Sequence, residues 1–308
     1  MQEELYAKNQ GKTHFCKYVT ADTTKIILTD LKGKWSSPYL FNDPFDMQTE
    51  MRHDFDFDDL EKPLLQEMAR LIYHDKTVPV QEDSLGGAII QLMRMMSQKI
   101  PEKIYIEELK GSMASSRSAY QKNMEEMNEW FQNYAKIARV FCVVEKHDDL
   151  LMWAHYAKDH TGAVIKFKLL PEEDTPLCAA YPITYIDDEN KLPTIASMER
   201  WIQSLTGENP LDTKTEVFEK YCFTKSKHWD YEGEWRVLGQ TRNPEQEELF
   251  DLWPFLPEEF DTIYLGCKME DSDRDNILRC LTGSLSHVQV YEAKKSKTKY
   301  ELDFARIR

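Results

Sequence analysis

The chain has 308 residues, 41% of them hydrophobic, and a formal net charge of −15. That is enough apolar material for a full core in one large domain or two small ones. So negative a balance offers no long-range attraction to phosphate backbones, which argues against sequence-independent nucleic-acid binding. No apolar run approaches the roughly 20 residues of a membrane span, so no membrane partner is expected. The polar, acidic opening Met1-Gln2-Glu3-Glu4 does not read as a signal peptide. Six cysteines (Cys16, Cys142, Cys178, Cys222, Cys267 and Cys280) form no CxxC pair and no zinc spacing. They read as small core residues of a reduced, cytoplasmic protein.

In chain order, Thr13 to Val19 predicts a strand. Asp22 to Leu31 predicts a short helix capped by Asp22 and stopped at Gly33. Ser37-Pro38 has the form of an N-cap followed by proline at the first helical position, and Asn42-Asp43-Pro44 that of a turn. From about Phe55 to Lys136 the apolar residues follow a helical period: Leu60, Leu64, Leu65, Met68, Leu71 and Ile72, then Met124, Met127, Trp130, Phe131 and Tyr134. The stretch 55–136 is therefore expected as a helical insertion in a single domain, 1–308. Its Met-rich run Ile89 to Met96 is expected to fill a core. Beyond it, Val140 to Val144, Gly162 to Phe167, Tyr181 to Ile186, Glu234 to Leu238, Thr262 to Leu265, Val288 to Ala293 and Tyr300 to Ile307 predict strands. Pro182 points to an edge. Helices are expected over Leu150 to Ala157, Ile195 to Leu205, Thr215 to Phe223 and Asp273 to Leu281. Lys294, Lys295, Lys297 and Lys299 would sit at a solvated hairpin tip. Without a regular βαβ beat, and with a terminal hairpin, the fold class is α+β with mixed, mostly antiparallel sheets rather than a doubly wound sheet.

Three blocks mix rings with short polar or charged groups, as a cleft that grips a polar ligand requires. They are Lys34 to Asp46, Leu150 to Ala157 and Trp229 to Arg236. On a strand, Glu232, Glu234 and Arg236 would share one face, with Trp235 and Val237 packing inward. Two carboxylates beside a guanidinium form either an edge-strand salt bridge or a pair that stabilises developing positive charge, as at a glycosidic carbon. Ser37 reads first as a helix cap. Asn42 and Asp43 either close a turn or contribute to a site, and Asp43 with Asp46 lacks a third metal ligand in sequence. His155 and His160 lie five apart, off a common helical face, and a helical histidine reads first as a hydrogen-bonded structural group. No metal is expected.

Together, Lys17-Tyr18, Trp35-Ser36-Ser37-Pro38, Phe41-Asn42-Asp43-Pro44-Phe45-Asp46, Leu151-Met152-Trp153-Ala154-His155-Tyr156-Ala157 with Gly162, Tyr231-Glu232-Gly233-Glu234-Trp235-Arg236 and Ile263-Tyr264-Leu265-Gly266 resemble a mainly bacterial family named for a domain of unknown function, DUF2971. The resemblance spans most of the chain, leaves the helical stretch as the variable part and implies no activity. The order of a cation with a ring, a Ser-Ser strand end and Glu-x-Glu also resembles the layout of ADP-ribosyltransferases. That second resemblance implies an ADP-ribosyltransferase-like core and NAD as substrate. Lys17 would hold phosphate or ribose, and Ser36 and Ser37 would support the nicotinamide pocket. Glu234 would stabilise the oxocarbenium-like transition state, and Glu232 would orient the acceptor or act as base. Tyr18, Trp153 or Tyr156 would stack on a base, with Asn42, His155 and Arg236 among the nucleotide contacts. Here lysine replaces the usual arginine, and Ser-Ser-Pro replaces Ser-Thr-Ser.

The expected activity is cleavage of the nicotinamide–ribose bond, with transfer of ADP-ribose to a macromolecule or water. By analogy it belongs to a bacterial toxin or phage-defence effector. The alternatives are a metal-dependent hydrolase or nuclease built on Asp43, Asp46, His155 and Glu234, and a non-catalytic module that binds a nucleotide or peptide.

Overall fold

The computed structural model describes residues 11–187 and 191–308, without the side chains of 112–115 and 213–214. The opening Met1–Glu4 lies outside the described residues. The chain divides into two compact units. One comprises Met1–Asp46, Ala135–Asn190 and Phe223–Arg308, the other Met47–Tyr134 and Lys191–Cys222.

The first unit holds twelve described strands: β1 His14–Val19, β2 Lys32–Ser36, β3 Ala138–Val144, β4 Ala163–Lys168, β5 Tyr181–Pro182, β6 Thr184–Ile186, β7 Thr224–Ser226, β8 Glu234–Gln240, β9 Phe250–Pro254, β10 Phe260–Leu265, β11 Gln289–Lys295 and β12 Leu302–Arg306. Ten form one sheet, in the order β12-β11-β10-β4-β1-β3-β2-β9. In addition, β8 pairs along β3, and β5 pairs with β8 alone, which puts Pro182 at an edge. The sheet is antiparallel except for β10 with β11. That parallel pair is linked by the helix Asp271–Cys280, the kind of crossover a parallel connection requires. The last two strands make the expected hairpin. The fold is mixed α+β with a mostly antiparallel sheet, as the strand pattern predicts.

Both faces of the central strands are covered. On one side Phe15, Val19, Phe141, Val143, Trp235 and Val237 enter the large core. On the other, Cys16, Tyr18, Val144, Met152, Trp153 and Val164 form a smaller apolar layer. Alternation along β1, β3 and β8 produces this division.

Two local expectations are corrected. The first helix runs Ala21–Asp30, and Thr20 rather than Asp22 caps it, its hydroxyl accepting from the Thr23 amide at 3.1 Å. Leu31 ends it in the left-handed region at φ 51°. Gly33 is not the stop. It lies within β2, where a Cβ would meet the Phe255 ring at 2.6 Å, so the position needs a missing side chain rather than a flexible backbone. Strand β9 was also not anticipated. Its run Phe-Asp-Leu-Trp-Pro ends in a proline, beside the acidic stretch Glu245 to Glu248.

The second unit is helical. It contains Phe57–Ala69, Leu85–Met96, Met198–Thr206 and Phe218–Cys222, together with most of the long helix Glu102–Ile137. Leu71, Ile72, Val80, Ile90 and Tyr105 form a core cluster there. The Met-rich helix does not simply fill that core. Met93 packs against the cluster, but Leu85 and Met95 are 80% and 81% exposed. A helix apolar on several faces can bury only the one that meets its neighbours. Among the described residues, no helix is long and apolar enough to cross a membrane.

Candidate functional site

The start of β8 organises a cleft in the first unit. Trp235 and Val237 pack into the large core, so Glu234 and Arg236 project from the opposite face of the strand, as alternation predicts. Glu232 is not on that strand. It ends the 3-10 turn Lys227–Glu232, and Gly233 follows at φ 53°, a conformation that favours glycine. This reversal, rather than a two-residue strand spacing, brings Glu232 beside the side chains of β8.

Lys225, from the middle of β7, joins the acids. Its Nζ donates to Glu232 Oε2 at 2.6 Å and to Glu234 Oε2 at 3.0 Å, with Asp46 Oδ2 at 3.7 Å. Arg236 closes the group. Nε donates to Glu234 Oε1 at 2.6 Å, Nη1 to Asp46 Oδ1 at 2.7 Å and Nη2 to Asp46 Oδ2 at 2.5 Å. The Tyr156 hydroxyl donates to Glu232 Oε1, and Asn42 Nδ2 donates to the Tyr156 hydroxyl at 3.3 Å. The Glu234 amide donates to the Tyr185 hydroxyl at 2.8 Å. All five charged groups are buried. Ions taken from water into such a site each cost several kcal/mol, so the set is stable only as a mutually paired whole.

The two glutamates are pushed apart. Burial alone would raise Glu234, but Arg236 and Lys225 overcome it and hold that carboxyl well below the usual range. Glu232 is raised, because burial and the neighbouring Glu234 outweigh Lys225. Asp46 is also raised, chiefly by burial, against the pull of Arg236. Burial and the Glu232 carboxylate lift the Tyr156 hydroxyl, which therefore acts as a donor. Lys225 loses stability as a cation to burial but gains more from Glu234, Asp46 and Glu232, so it stays charged. Environments that separate two adjacent carboxyls in this way mark one as a fixed charge and the other as a group able to exchange a proton.

The cluster lies in the wall of a cavity of about 370 Å³, lined also by Lys17, Tyr18, Asn42, Cys142 and His155. That volume is at the small end of the range for ligand pockets. Of the residues chosen from sequence, Lys17, Tyr18, Asn42, His155, Tyr156, Glu232 and Glu234 line it. Lys17 Nζ donates to the Cys142 carbonyl at 2.6 Å and sits 4.3 Å over the Phe141 ring. Burial lowers its pKa. His155 Nδ1 lies 2.9 Å from the Tyr231 hydroxyl.

Four chosen residues take other roles. Ser37 is buried as the cap of the turn Pro38–Leu40, and its hydroxyl donates to the Ala135 carbonyl at 2.8 Å. Ser36 ends β2 opposite Val140, away from the cavity lining. Trp153 is fully buried beneath Tyr18, its ring edge-on at 5.5 Å with its indole donating to the His147 carbonyl, so it cannot stack on a ligand. Arg236 is fully buried and committed to Asp46 and Glu234. Asp43 closes its turn by accepting from the Phe45 amide. Among the described residues, no group of three or more His, Cys, Asp or Glu is placed to hold a metal.

Sequence reasoning missed Lys225 and Cys142, and read Asp46 only as an oxygen ligand. A charge count held the signal for Lys225: Glu232 and Glu234 on a buried face outnumber the single Arg236 and require a second cation.

The family described as Protein of unknown function (DUF2971) matches residues 152–237. The match covers Met152 to Val237, and with them Tyr156, Lys225, Glu232, Glu234 and Arg236. No curated protein and no solved structure matches the chain.

Proposed function

We propose that this chain, whose residues 152–237 match the DUF2971 family, is an enzyme that breaks the nicotinamide–ribose bond of NAD and transfers ADP-ribose to an acceptor, macromolecular or water. The observation that carries this reading is the divided carboxyl pair, Glu232 and Glu234, at the wall of a cleft that also presents a cation and an aromatic hydroxyl.

The roles follow from the geometry. Glu234 is a permanent anion, suited to stabilising positive charge as the C1′–N bond lengthens and its electron pair leaves with nicotinamide. Glu232, with its raised pKa, takes the proton from the acceptor hydroxyl as the new C1′–O bond forms. Tyr156 and Asn42 orient Glu232, and Lys17, at the cavity wall, is the cation that would receive a phosphate. The cleft's modest size suits one ribose and its base rather than the whole dinucleotide. Ser36, Ser37 and Trp153 have no part in this version of the site. A metal-dependent hydrolase fits less well, because Asp46 and Glu234 are already held by Arg236. A toxin or phage-defence role follows only if the acceptor is a host macromolecule.

The test is incubation of the pure protein with NAD and measurement of released nicotinamide. Release is expected, and Glu232→Gln is expected to slow it by at least about 100-fold, the low end of what a positioned base contributes. Absence of release, or an unimpaired Glu232→Gln variant, would refute the assignment.

A further inference from the structure

Among the described residues, the charged groups at the cleft are equal in number and opposite in sign. Three carboxylates, Asp46, Glu232 and Glu234, face three cations, Lys17, Lys225 and Arg236. Lys225 and Arg236 are spent on the acids at 3.7 Å or less. Lys17 is different. Among the described residues its ammonium donates to a neutral acceptor, the Cys142 carbonyl, and it lines the cavity. An ammonium has three donors, so Lys17 retains N–H groups for a ligand anion. At the other end of the set, Glu232 is held by Lys225 and Tyr156 and also faces the cavity. Glu234 stands beside it on β8, Tyr185 and Tyr231 lie near, and the Cys142 thiol lines the same wall.

We propose that the cleft selects ligands carrying one anionic group, seated at Lys17, together with a hydroxyl that meets Glu232, and that seating the anion brings one proton onto Glu232. This rests on the reading of the cleft as a ligand site, but not on NAD being the substrate; the nicotinamide end of NAD carries a pyridinium cation together with its phosphate, adds no surplus charge and so leaves Glu232 ionised to act as base. The argument is electrostatic. With all six groups ionised the set is neutral, and buried charges are stable only when paired, so a surplus charge is costly. A ligand anion adds one negative charge. Glu232 and Asp46 are both raised by burial and both line the cavity, but Asp46 is held by the Arg236 guanidinium, so the set regains balance most readily at Glu232. Asp46 and Glu234 are each gripped by the Arg236 guanidinium and keep their charge. A neutral ligand of the same shape requires no proton.

The sign follows from linkage. Binding that takes up one proton tightens by about tenfold for each unit of falling pH, over the range in which Glu232 is ionised in the unliganded protein. Isothermal titration in buffers of different ionisation heat measures the uptake directly. The probes are adenosine and the methyl ester of AMP, whose phosphate bears one fixed negative charge; neither can release nicotinamide, so the result is independent of NAD turnover. The ester is expected to bind with uptake of about one proton, and adenosine to bind more weakly with none. Lys17→Met is expected to bring the two ligands to the same affinity. Glu232→Gln is expected to keep ester binding and lose the uptake. Ester binding without proton uptake, no preference of the ester over adenosine, failure of the ester to bind, or uptake that persists in Glu232→Gln would each overturn the proposal. Proton-linked ester binding in a protein that leaves NAD intact would support it while removing NAD as the substrate.

Discussion

In the cleft, five buried ionisable side chains are tied to one another by ion pairs. In the helical unit the His53 imidazole is packed among Phe55, Tyr120 and Trp201 with no hydrogen-bond partner of normal geometry on either ring nitrogen among the described residues. Both places bury a group that water would otherwise solvate, but they meet the cost differently. The cleft keeps its charges and balances them. The His53 site keeps its group neutral, and burial lowers the imidazole pKa against smaller upward pulls from the Ala196 backbone and Asp54. A balanced set is sensitive to the loss of one member, whereas a neutral group is sensitive to acid.

Removing a cation from the cleft is therefore the most severe change. Arg236→Met leaves Asp46 and Glu234 buried with only Lys225 between them, and a loss of about 3–5 kcal/mol of stability is expected, the range for breaking a buried ion pair from one side. Chemical denaturation of the two proteins measures it. A change under about 1 kcal/mol would mean that water enters the cluster and that the charges are solvated. Glu232→Gln should behave otherwise. It leaves two carboxylates facing Lys225 and Arg236, and the amide oxygen can take the place of Oε2 and accept from Lys225 while the amide NH2, in the place of Oε1, donates to the Tyr156 hydroxyl. A shift of about 1 kcal/mol or less is expected in the same assay, the net size of an ordinary hydrogen bond. Equal losses in the two variants would contradict the division of the pair into a structural and a titrating carboxyl.

The contrast also explains what could be read in advance. Strand alternation was enough to turn Trp235 and Val237 into the core and Glu234 and Arg236 out of it, because that pattern is local. Asn42 was recognised by its turn, and the structure adds its bond to Tyr156, 114 positions away. Asp46 could not be understood from its own neighbours, since its partner Arg236 is 190 positions distant. Lys225 was hidden for a different reason: Thr-Lys-Ser in a short strand has the composition of a solvated edge, and its burial depends on the acids folded over it. Cys142 was masked by the apolar run around it. Ser36 and Ser37 were overvalued because a serine before a proline carries the same local signal whether it caps a turn or lines a pocket. The apolar pattern of Ile89 to Met96 pointed to a helix but not to which of its faces would be covered.

The His53 side of the comparison predicts the smallest effect at neutral pH and a growing one in acid. The unfolded imidazole titrates near 6.5 and the folded one below it, so the unfolded chain binds the proton more tightly. The stability that His53 contributes is whole above the unfolded value and is lost as pH falls from there toward the folded value. Burial depresses His14, His147 and His160 as well, so acid sensitivity is shared among several imidazoles. His53→Phe keeps the ring contacts with Phe55, Tyr120 and Trp201 and removes one titrating imidazole. Denaturation at a series of pH values below neutrality should show a slope shallower by at most about 1.4 kcal/mol per pH unit, the limit for one proton. Parallel curves for the two proteins would mean that His53 is already protonated in its apolar surroundings. That would require a buried anion beside it, and the contrast with the cleft would then fail, because both sites would be holding charge by pairing it.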